Sequence, residues 1–199
     1  MGVKDLILAT RTIRRYDAGA QVSRETLLDI VDCGRLGASG GNKQPLKFLC
    51  VNDPEKRAAV FSNLAFAAYF KDWTPPPHER PGGYVIILGD TDIATNFWCD
   101  HGIAAQNMLL RTTELGLGGC ILAAINKNGL RKAFAIPERF EILLVIALGT
   151  PAETVVLTPM GEDGDVRYWR DDAGVHHVPK RGLDEVVLAV NPPLAQNEG

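Results

Sequence analysis

The chain has 199 residues, of which 46% are hydrophobic and 23% are charged, and its formal net charge is −3. This composition is typical of a globular protein with a substantial core, and the lack of a basic excess argues against a nucleic-acid-binding protein. No apolar run reaches the roughly 20 residues that span a bilayer, and the first ten residues lack a signal-peptide core, so we expect a cytoplasmic protein with no membrane partner.

Two helices are predicted in the first forty residues. Val3, Leu6 and Ile7 have the spacing of a short amphipathic helix. Ser23 can cap a second helix, because its side chain can accept a hydrogen bond from a free N–H of the first turn, and Leu27 begins the apolar face of that helix.

Two basic clusters and one loop of small residues favour an elongated ligand with a terminal phosphate. The clusters are Arg11, Arg14 and Arg15, and Lys180 with Arg181, and the loop is residues 38–45, Ala-Ser-Gly-Gly-Asn-Lys-Gln-Pro. Arginine presents a rigid fork of donors that matches phosphate oxygens, and glycine lets a ligand approach the backbone. Each feature alone is ordinary, since Arg-x-x-Arg usually lies on a solvated helix face and Gly-Gly usually forms a turn. Only their combination indicates a ligand site.

The next segment combines a strand, a helix and a long irregular loop. Residues 47–51 predict a buried strand, and Asp53 followed by Pro54 predicts the start of a helix. Residues 71–83 contain four prolines, so they cannot form a helix or a central strand. Such a loop is either a lid or a solvent-exposed linker, and Trp73 favours the lid.

The remaining pattern predicts a single layered domain. Apolar runs predict strands at 84–88, 120–125 and 142–148, a largely apolar helix is predicted from about 93 to 115, and a hairpin is predicted within 166–178. No repeat or linker interrupts this order, so we expect one α+β domain over 1–190 and an extended or disordered end at 191–199. The cysteines and histidines lack the spacing of a metal site, so no metal is expected.

Five segments, in the same order, resemble the motifs of the nitroreductase family of FMN-dependent oxidoreductases. They are 11–16 (Arg-Thr-Ile-Arg-Arg-Tyr), 39–45 (Ser-Gly-Gly-Asn-Lys-Gln-Pro), 100–110 (Asp-His-Gly-Ile-Ala-Ala-Gln-Asn-Met-Leu-Leu), 116–120 (Gly-Leu-Gly-Gly-Cys) and 148–153 (Leu-Gly-Thr-Pro-Ala-Glu). The chain departs from the family pattern at Thr10, Ala38 and Leu46, where arginine, proline and tryptophan are common. These departures bear on the phosphate contacts and on the tightness of binding.

The resemblance implies a fold, a cofactor and a set of binding residues. The fold is α+β, with a central, mainly antiparallel sheet surrounded by helices, and the protein is a homodimer with FMN at its interface. Arg11, Thr12 and Arg14 would hold the phosphate and the pyrimidine edge, and Lys180 and Arg181 would add cations at the phosphate. Ser39, Gly40 and Asn42, supplied by the partner subunit, would lie against the isoalloxazine and ribityl chain. Backbone N–H groups near Ala123 and Ala124 would face the flavin N5 region.

The resemblance also implies an activity. Electrons would pass from NAD(P)H through the flavin to a small organic acceptor such as a nitroaromatic, a quinone or an enone. Because the flavin carries this chemistry, no catalytic side chain is expected. Alternatives are an FMN carrier or sensor without turnover, and a reductive dehalogenase or flavin-cleaving enzyme on the same fold. Neither the acceptor nor the choice between NADH and NADPH follows from the sequence.

Overall fold

A four-stranded antiparallel sheet lies at the centre of the first part of the chain. The structure, a computed structural model, describes residues 2–66, 68–70 and 73–191. The chain divides into two compact units, Met1–Glu153 and Thr154–Gly199. The single domain over 1–190 stays a prediction, and all but the first residue of the expected C-terminal end at 191–199 lies outside the described residues.

The sheet of the first unit has the strand order β1-β2-β4-β3. Its strands are β1 (Leu46–Val51), β2 (Gly83–Asp90), β3 (Gly118–Leu122) and β4 (Phe140–Gly149), and every neighbouring pair is antiparallel. All of β2 and the second half of β4 are buried, which explains their uninterrupted apolar sequences. The predicted α+β class with an antiparallel sheet is confirmed.

The described residues of this unit form five α-helices. They are α1 (Val3–Ala9), α2 (Arg24–Arg35), α3 (Pro54–Phe61), α4 (Asp100–Glu114) and α5 (Lys127–Phe134). The predicted caps are confirmed, since Ser23 Oγ accepts a hydrogen bond from the Thr26 N–H at 3.1 Å and Asp53 Oδ1 accepts one from the Lys56 N–H at 3.0 Å. Helices α2 and α4 pack closely at Gly34, where any Cβ would overlap the Met108 side chain.

The helix predicted from about residue 93 begins only at Asp100, so its predicted start was wrong. Residues 91–99 form turns instead. Asp90 Oδ1 accepts a hydrogen bond from the Asp92 N–H at 3.2 Å, and Asn96 Oδ1 accepts one from the Trp98 N–H at 2.8 Å. These short side chains offer the backbone an alternative to helical hydrogen bonds, which the apolar pattern did not reveal. The predicted strand 120–125 likewise ends at Leu122.

The described part of the proline-rich segment is irregular as predicted over residues 73–82, with one 3-10 turn at Pro77–Glu79, and residue 83 begins β2. Its second half lies along the segment that follows the arginine cluster. The Tyr16 N–H donates to the Glu79 carbonyl at 3.1 Å, and the Val22 N–H donates to the Gly82 carbonyl at 3.3 Å. The role of this segment as a substrate lid stays a prediction.

The second unit contains a three-stranded sheet of its own. Strand β5 (Val155–Pro159) pairs in parallel with β7 (His176–Lys180), β6 (Trp169–Arg170) pairs antiparallel with β7, and α6 (Leu183–Val186) follows. The predicted hairpin is confirmed, and its turn includes Gly174 at φ 78°. On β7, His177 stacks on Trp169, with ring centroids 4.9 Å apart.

Candidate functional site

The arginine segment, residues 11–16, runs beside the edge strand β3 and is not helical. Thr12 forms a parallel bridge with Gly119, and the Ile13 N–H donates to the Gly119 carbonyl at 3.0 Å. Ile13 and Tyr16 are buried, and the Tyr16 hydroxyl donates to the Ile13 carbonyl at 2.5 Å. These two anchors leave the Arg11, Thr12 and Arg14 side chains only partly covered or exposed.

Two carboxylates fix the second half of this segment. Glu153 Oε1 accepts hydrogen bonds from the backbone N–H groups of Arg14 and Arg15, at 2.5 and 3.0 Å. Glu79, which is 9% exposed, accepts two bonds from the Arg15 guanidinium, at 2.6 and 2.5 Å. The hydrogen bonds to Glu79 raise the pKa of Arg15 above its ordinary value. The Arg15 guanidinium is therefore bound to the Glu79 carboxylate. The contact of Arg14 with Glu153 is made by its backbone N–H.

Arg11 has a polar group without a hydrogen-bond partner in the described part of the chain. Its Nη2 donates to the Ile7 carbonyl at 2.8 Å, near the end of α1. Its Nε is buried and has no hydrogen-bond partner among residues 2–66, 68–70 and 73–191. Burial lowers the pKa of this guanidinium from its ordinary value. Because a buried N–H is costly to leave unpaired, this one suits an acceptor oxygen from outside the chain, such as that of a phosphate.

The small-residue loop, residues 39–44, has an unusual backbone. Gly41, Asn42 and Gln44 all adopt left-handed conformations, with φ of 60°, 54° and 53°. The loop is held from within by Ser39, whose Oγ accepts a hydrogen bond from the Gln44 N–H at 3.1 Å. It is held from outside by Asp100, which is 4% exposed and accepts a hydrogen bond from the Gly40 N–H at 2.9 Å. Residues kept in such conformations cluster at binding sites, where surrounding contacts fix them.

A cavity of about 220 Å³ lies beside this loop, lined by Gly34, Ala38, Ser39, Gln44, Asp100 and neighbouring residues. It is smaller than the roughly 300–1,000 Å³ of typical small-molecule sites. Its described lining includes no residue of the arginine segment. This cavity therefore belongs to the loop and not to the arginine segment.

The remaining predicted residues lie in two further places. Ala123 and Ala124 are exposed and follow the end of β3, beyond its pairing with β4. The Ala124 carbonyl accepts a hydrogen bond from the Ala65 N–H at 3.0 Å. In the second unit, Lys180 is exposed at the end of β7, and Arg181 forms an ion pair with Glu185 at 3.1 Å. Their roles as cofactor ligands stay predictions.

Sequence reasoning assigned no role to four residues that shape these segments: Glu79, Trp98, Asp100 and Glu153. Asp100 and Glu153 lie inside the motif segments, so their positions gave a usable signal. Glu79 and Trp98 gave no sequence signal, because each contacts a residue that is distant in sequence, Arg15 and Gly40 respectively. Among the described residues, no group of three metal-ligating side chains is present, and no helix has the length and apolarity needed to cross a bilayer.

Comparison with known proteins agrees with the motifs. A model of the nitroreductase family matches residues 7–150. The "Putative NADH dehydrogenase/NAD(P)H nitroreductase" of Methanothermobacter thermautotrophicus is 31% identical over 160 residues, which are 77% of this chain and 79% of the relative. The NADPH-flavin oxidoreductase of Vibrio harveyi is 26% identical over 167 residues, 78% of this chain and 68% of the relative.

A solved structure, that of the FMN-dependent nitroreductase of Clostridium difficile R20291, superposes with a TM-score of 0.62 at 22% identity. The superposition covers 73% of this chain and 86% of that one. This likeness concerns the fold. The family match spans far more than half of the sequence and includes the arginine segment, the small-residue loop and all four strands of the first sheet. The chain therefore belongs to the nitroreductase family.

Proposed function

We propose that this protein is an FMN-dependent NAD(P)H oxidoreductase that reduces a small organic acceptor, namely a nitroaromatic, a quinone or an enone. Family membership and the activities of the relatives support the enzyme class and the flavin. The observation that carries the cofactor assignment to this chain is the buried, unsatisfied Nε of Arg11 within the arginine segment. We further expect a cytoplasmic enzyme, where NAD(P)H is available.

The residues of the arginine segment fit the phosphate end of FMN. Arg11 has a buried donor without an acceptor in the described chain, and Thr12 is exposed and has a hydroxyl group. Arg14 lies on backbone that Glu153 anchors, while Arg15 is diverted to Glu79. We assign Arg11, Thr12 and Arg14 to the phosphate and pyrimidine edge, since donors and positive charge there would also favour the electron-rich, reduced form of the cofactor.

The loop and the strand end supply the second part of the proposed site. Gly40 and Gly41 allow a flat ring to approach the backbone, and Ser39 and Asn42 add polar groups. Ala123 and Ala124 are exposed and lie beyond the last strand pair of β3, where their N–H groups would donate to the edge of the ring. When bound, FMN supplies the redox chemistry, taking a hydride from NAD(P)H and passing electrons to the acceptor. The chain's contribution is to bind and orient both substrates.

We propose that the site is completed by a second copy of the chain. The cavity beside the loop is too small for a nucleotide and is not lined by the arginine segment. Both facts support the proposal that the loop contacts the FMN bound by the partner subunit. Several large apolar side chains are exposed, which supports a subunit interface. They include Val3, Ile7, Leu8, Leu36, Leu183, Val186, Leu188 and Val190. A homodimer would cover part of this surface.

The proposal is tested on the purified protein. We expect a yellow protein with an absorbance band near ~450 nm, the usual signature of an oxidised flavin. Mixing with NADH and with NADPH under anaerobic conditions in a stopped-flow instrument should bleach this band, and adding an acceptor should restore it. A protein that stays colourless after incubation with FMN contradicts the cofactor assignment. A yellow protein that neither nucleotide bleaches contradicts the reductase and favours a flavin carrier.

A further inference from the structure

One large aromatic side chain, that of Trp98, is turned out of the fold. It is 72% exposed and its backbone is left-handed, with φ of 45°. A bulky residue with positive φ is uncommon and persists only where its surroundings fix it. The preceding Phe97 points the other way, is 6% exposed, and packs so tightly on Gly89 that a Cβ there would overlap its ring. The left-handed turn thus separates a buried aromatic ring from an exposed one.

Contacts on both sides hold Trp98 in this conformation. Its N–H donates to Asn96 Oδ1 at 2.8 Å, and two residues later the Asp100 N–H donates to the Phe97 carbonyl at 3.0 Å as α4 begins. The Asp100 side chain is in turn bonded to the Gly40 N–H. The backbone that carries the indole is therefore tied to the core, to the start of α4 and to the small-residue loop.

The indole lies against Gly40. A Cβ at that glycine would be 3.1 Å from Trp98 Cδ1, which is tighter than most real contacts, and 3.6 Å from Nε1, which is an ordinary van der Waals distance. The absence of a side chain at position 40 therefore leaves room for the indole. The exposed indole is therefore next to the small-residue loop.

We propose that Trp98 is a specificity-determining residue whose indole forms a wall of the acceptor space and selects planar aromatic acceptors by stacking. This inference rests on the proposed function, which sets residues 39–42 against the flavin. An indole offers a large, rigid, electron-rich face, and nitroaromatics and quinones are flat and electron-poor. An aliphatic enone has no such face to stack. The geometry thus favours nitroaromatics and quinones over enones.

The test compares Trp98→Ala and Trp98→Phe with the wild type, and uses Trp169→Ala as a matched control. Trp169 is an exposed tryptophan of the second unit, outside the family match. Dissociation constants of 4-nitrobenzoate, a benzoquinone and cyclohexenone are measured from the perturbation of the flavin absorbance of the oxidised protein. Bound FMN is quantified, the oligomeric state is measured by sedimentation, and bleaching by NAD(P)H is recorded for every variant.

We expect Trp98→Ala to raise the dissociation constants of nitrobenzoate and quinone about five- to tenfold and that of cyclohexenone less than twofold. Trp98→Phe should recover most of the loss, and Trp169→Ala should change nothing. Equal weakening for all three ligands, or loss of FMN or of the dimer in Trp98→Ala, overturns the inference, because Trp98 would then be a scaffold or interface residue. If the wild type bleaches normally, only this inference falls. If the wild type does not bleach, the proposed function falls with it.

Discussion

Replacing Arg14 and Arg15 separately by alanine should cause two different kinds of loss. Arg14 and Arg15 are adjacent and identical in type, but the Arg15 guanidinium is bonded to Glu79, whereas we assign Arg14 to FMN. Arg15→Ala removes two charge-assisted hydrogen bonds, of 2.6 and 2.5 Å, from Glu79, which is 9% exposed. Leaving a charged group without its partner costs about 1–3 kcal/mol of unfolding free energy.

The lower part of that range applies to Arg15. One third of its side chain is exposed, so water can replace part of what the guanidinium provided. We therefore expect a loss of about 1–2 kcal/mol, which corresponds to a decrease in Tm of about 2–8 °C for a protein of this length. The affinity for FMN should change little, because this guanidinium faces Glu79.

Arg14→Ala should instead lower the affinity for FMN. Alanine keeps the backbone N–H that donates to Glu153 Oε1, so the anchored path of the segment is preserved. What is lost is a charge-assisted contact to phosphate, worth about 1.5–3 kcal/mol, and the affinity for FMN should fall roughly ten- to a hundredfold. Arg14→Lys, which retains the charge without the guanidinium fork, should lie between the wild type and alanine.

The loss of FMN affinity and the loss of stability are measured in separate experiments. Dissociation constants come from titration of the apoprotein with FMN, and Tm is measured on the apoproteins, because bound ligand itself raises Tm. A double-mutant cycle with Glu79→Gln should show that the Arg15 and Glu79 losses are not additive. Equal losses of FMN affinity in the two alanine variants, or an unchanged Tm in Arg15→Ala, would refute the assignment of the two side chains.

Three further predictions follow from other parts of the structure. Dilution into the monomer range should release FMN, measured as a rise in free-flavin fluorescence; a monomer that keeps FMN tightly bound would contradict the shared site. Shortening the proline run at residues 75–77 should change the ranking of acceptors while FMN affinity stays within about twofold; a parallel change in FMN affinity would mean that the segment holds the cofactor. In the second unit, hydrogen bonds from His177 and from the Val175 backbone lower the pKa of Asp171. Its stabilising contribution is therefore present above the ordinary aspartate pKa and lost as pH falls through the lowered one, so Tm measured against pH should converge in acid for wild type and Asp171→Asn.

Local sequence signals were sufficient for much of the first unit. The central strands were predicted because a strand covered on both faces must be apolar throughout, as in residues 84–88 and 142–148. The starts of α2 and α3 were predicted because Ser23 and Asp53 accept hydrogen bonds from residues three positions later. Each of these features depends only on neighbours along the chain.

Features that depend on distant residues were not predictable in the same way. The predicted start of α4 was wrong because Asn96 and the left-handed Trp98 form a turn before the helix begins. The apolar pattern continues through this turn and so does not reveal it. The partner of Arg15 is 64 residues away, and nothing in either local sequence identifies the pair. The family motifs had already assigned Arg14, and not Arg15, to the cofactor, but only the coordinates identify Glu79 as the partner of Arg15.

The contacts of Glu153 have a consequence for how the enzyme is made. This carboxylate binds the Arg14 and Arg15 N–H groups across 139 and 138 positions, and the Asp17 N–H donates to the Thr150 carbonyl at 2.9 Å. The arginine segment is therefore translated early, and the residues that order it are translated only after most of the chain has been made. Pairing over such separations forms late in folding. We expect FMN loading to follow closure of the first unit, so nascent chains stalled before residue 150 should fail to retain the cofactor and those extended well past residue 153 should bind it.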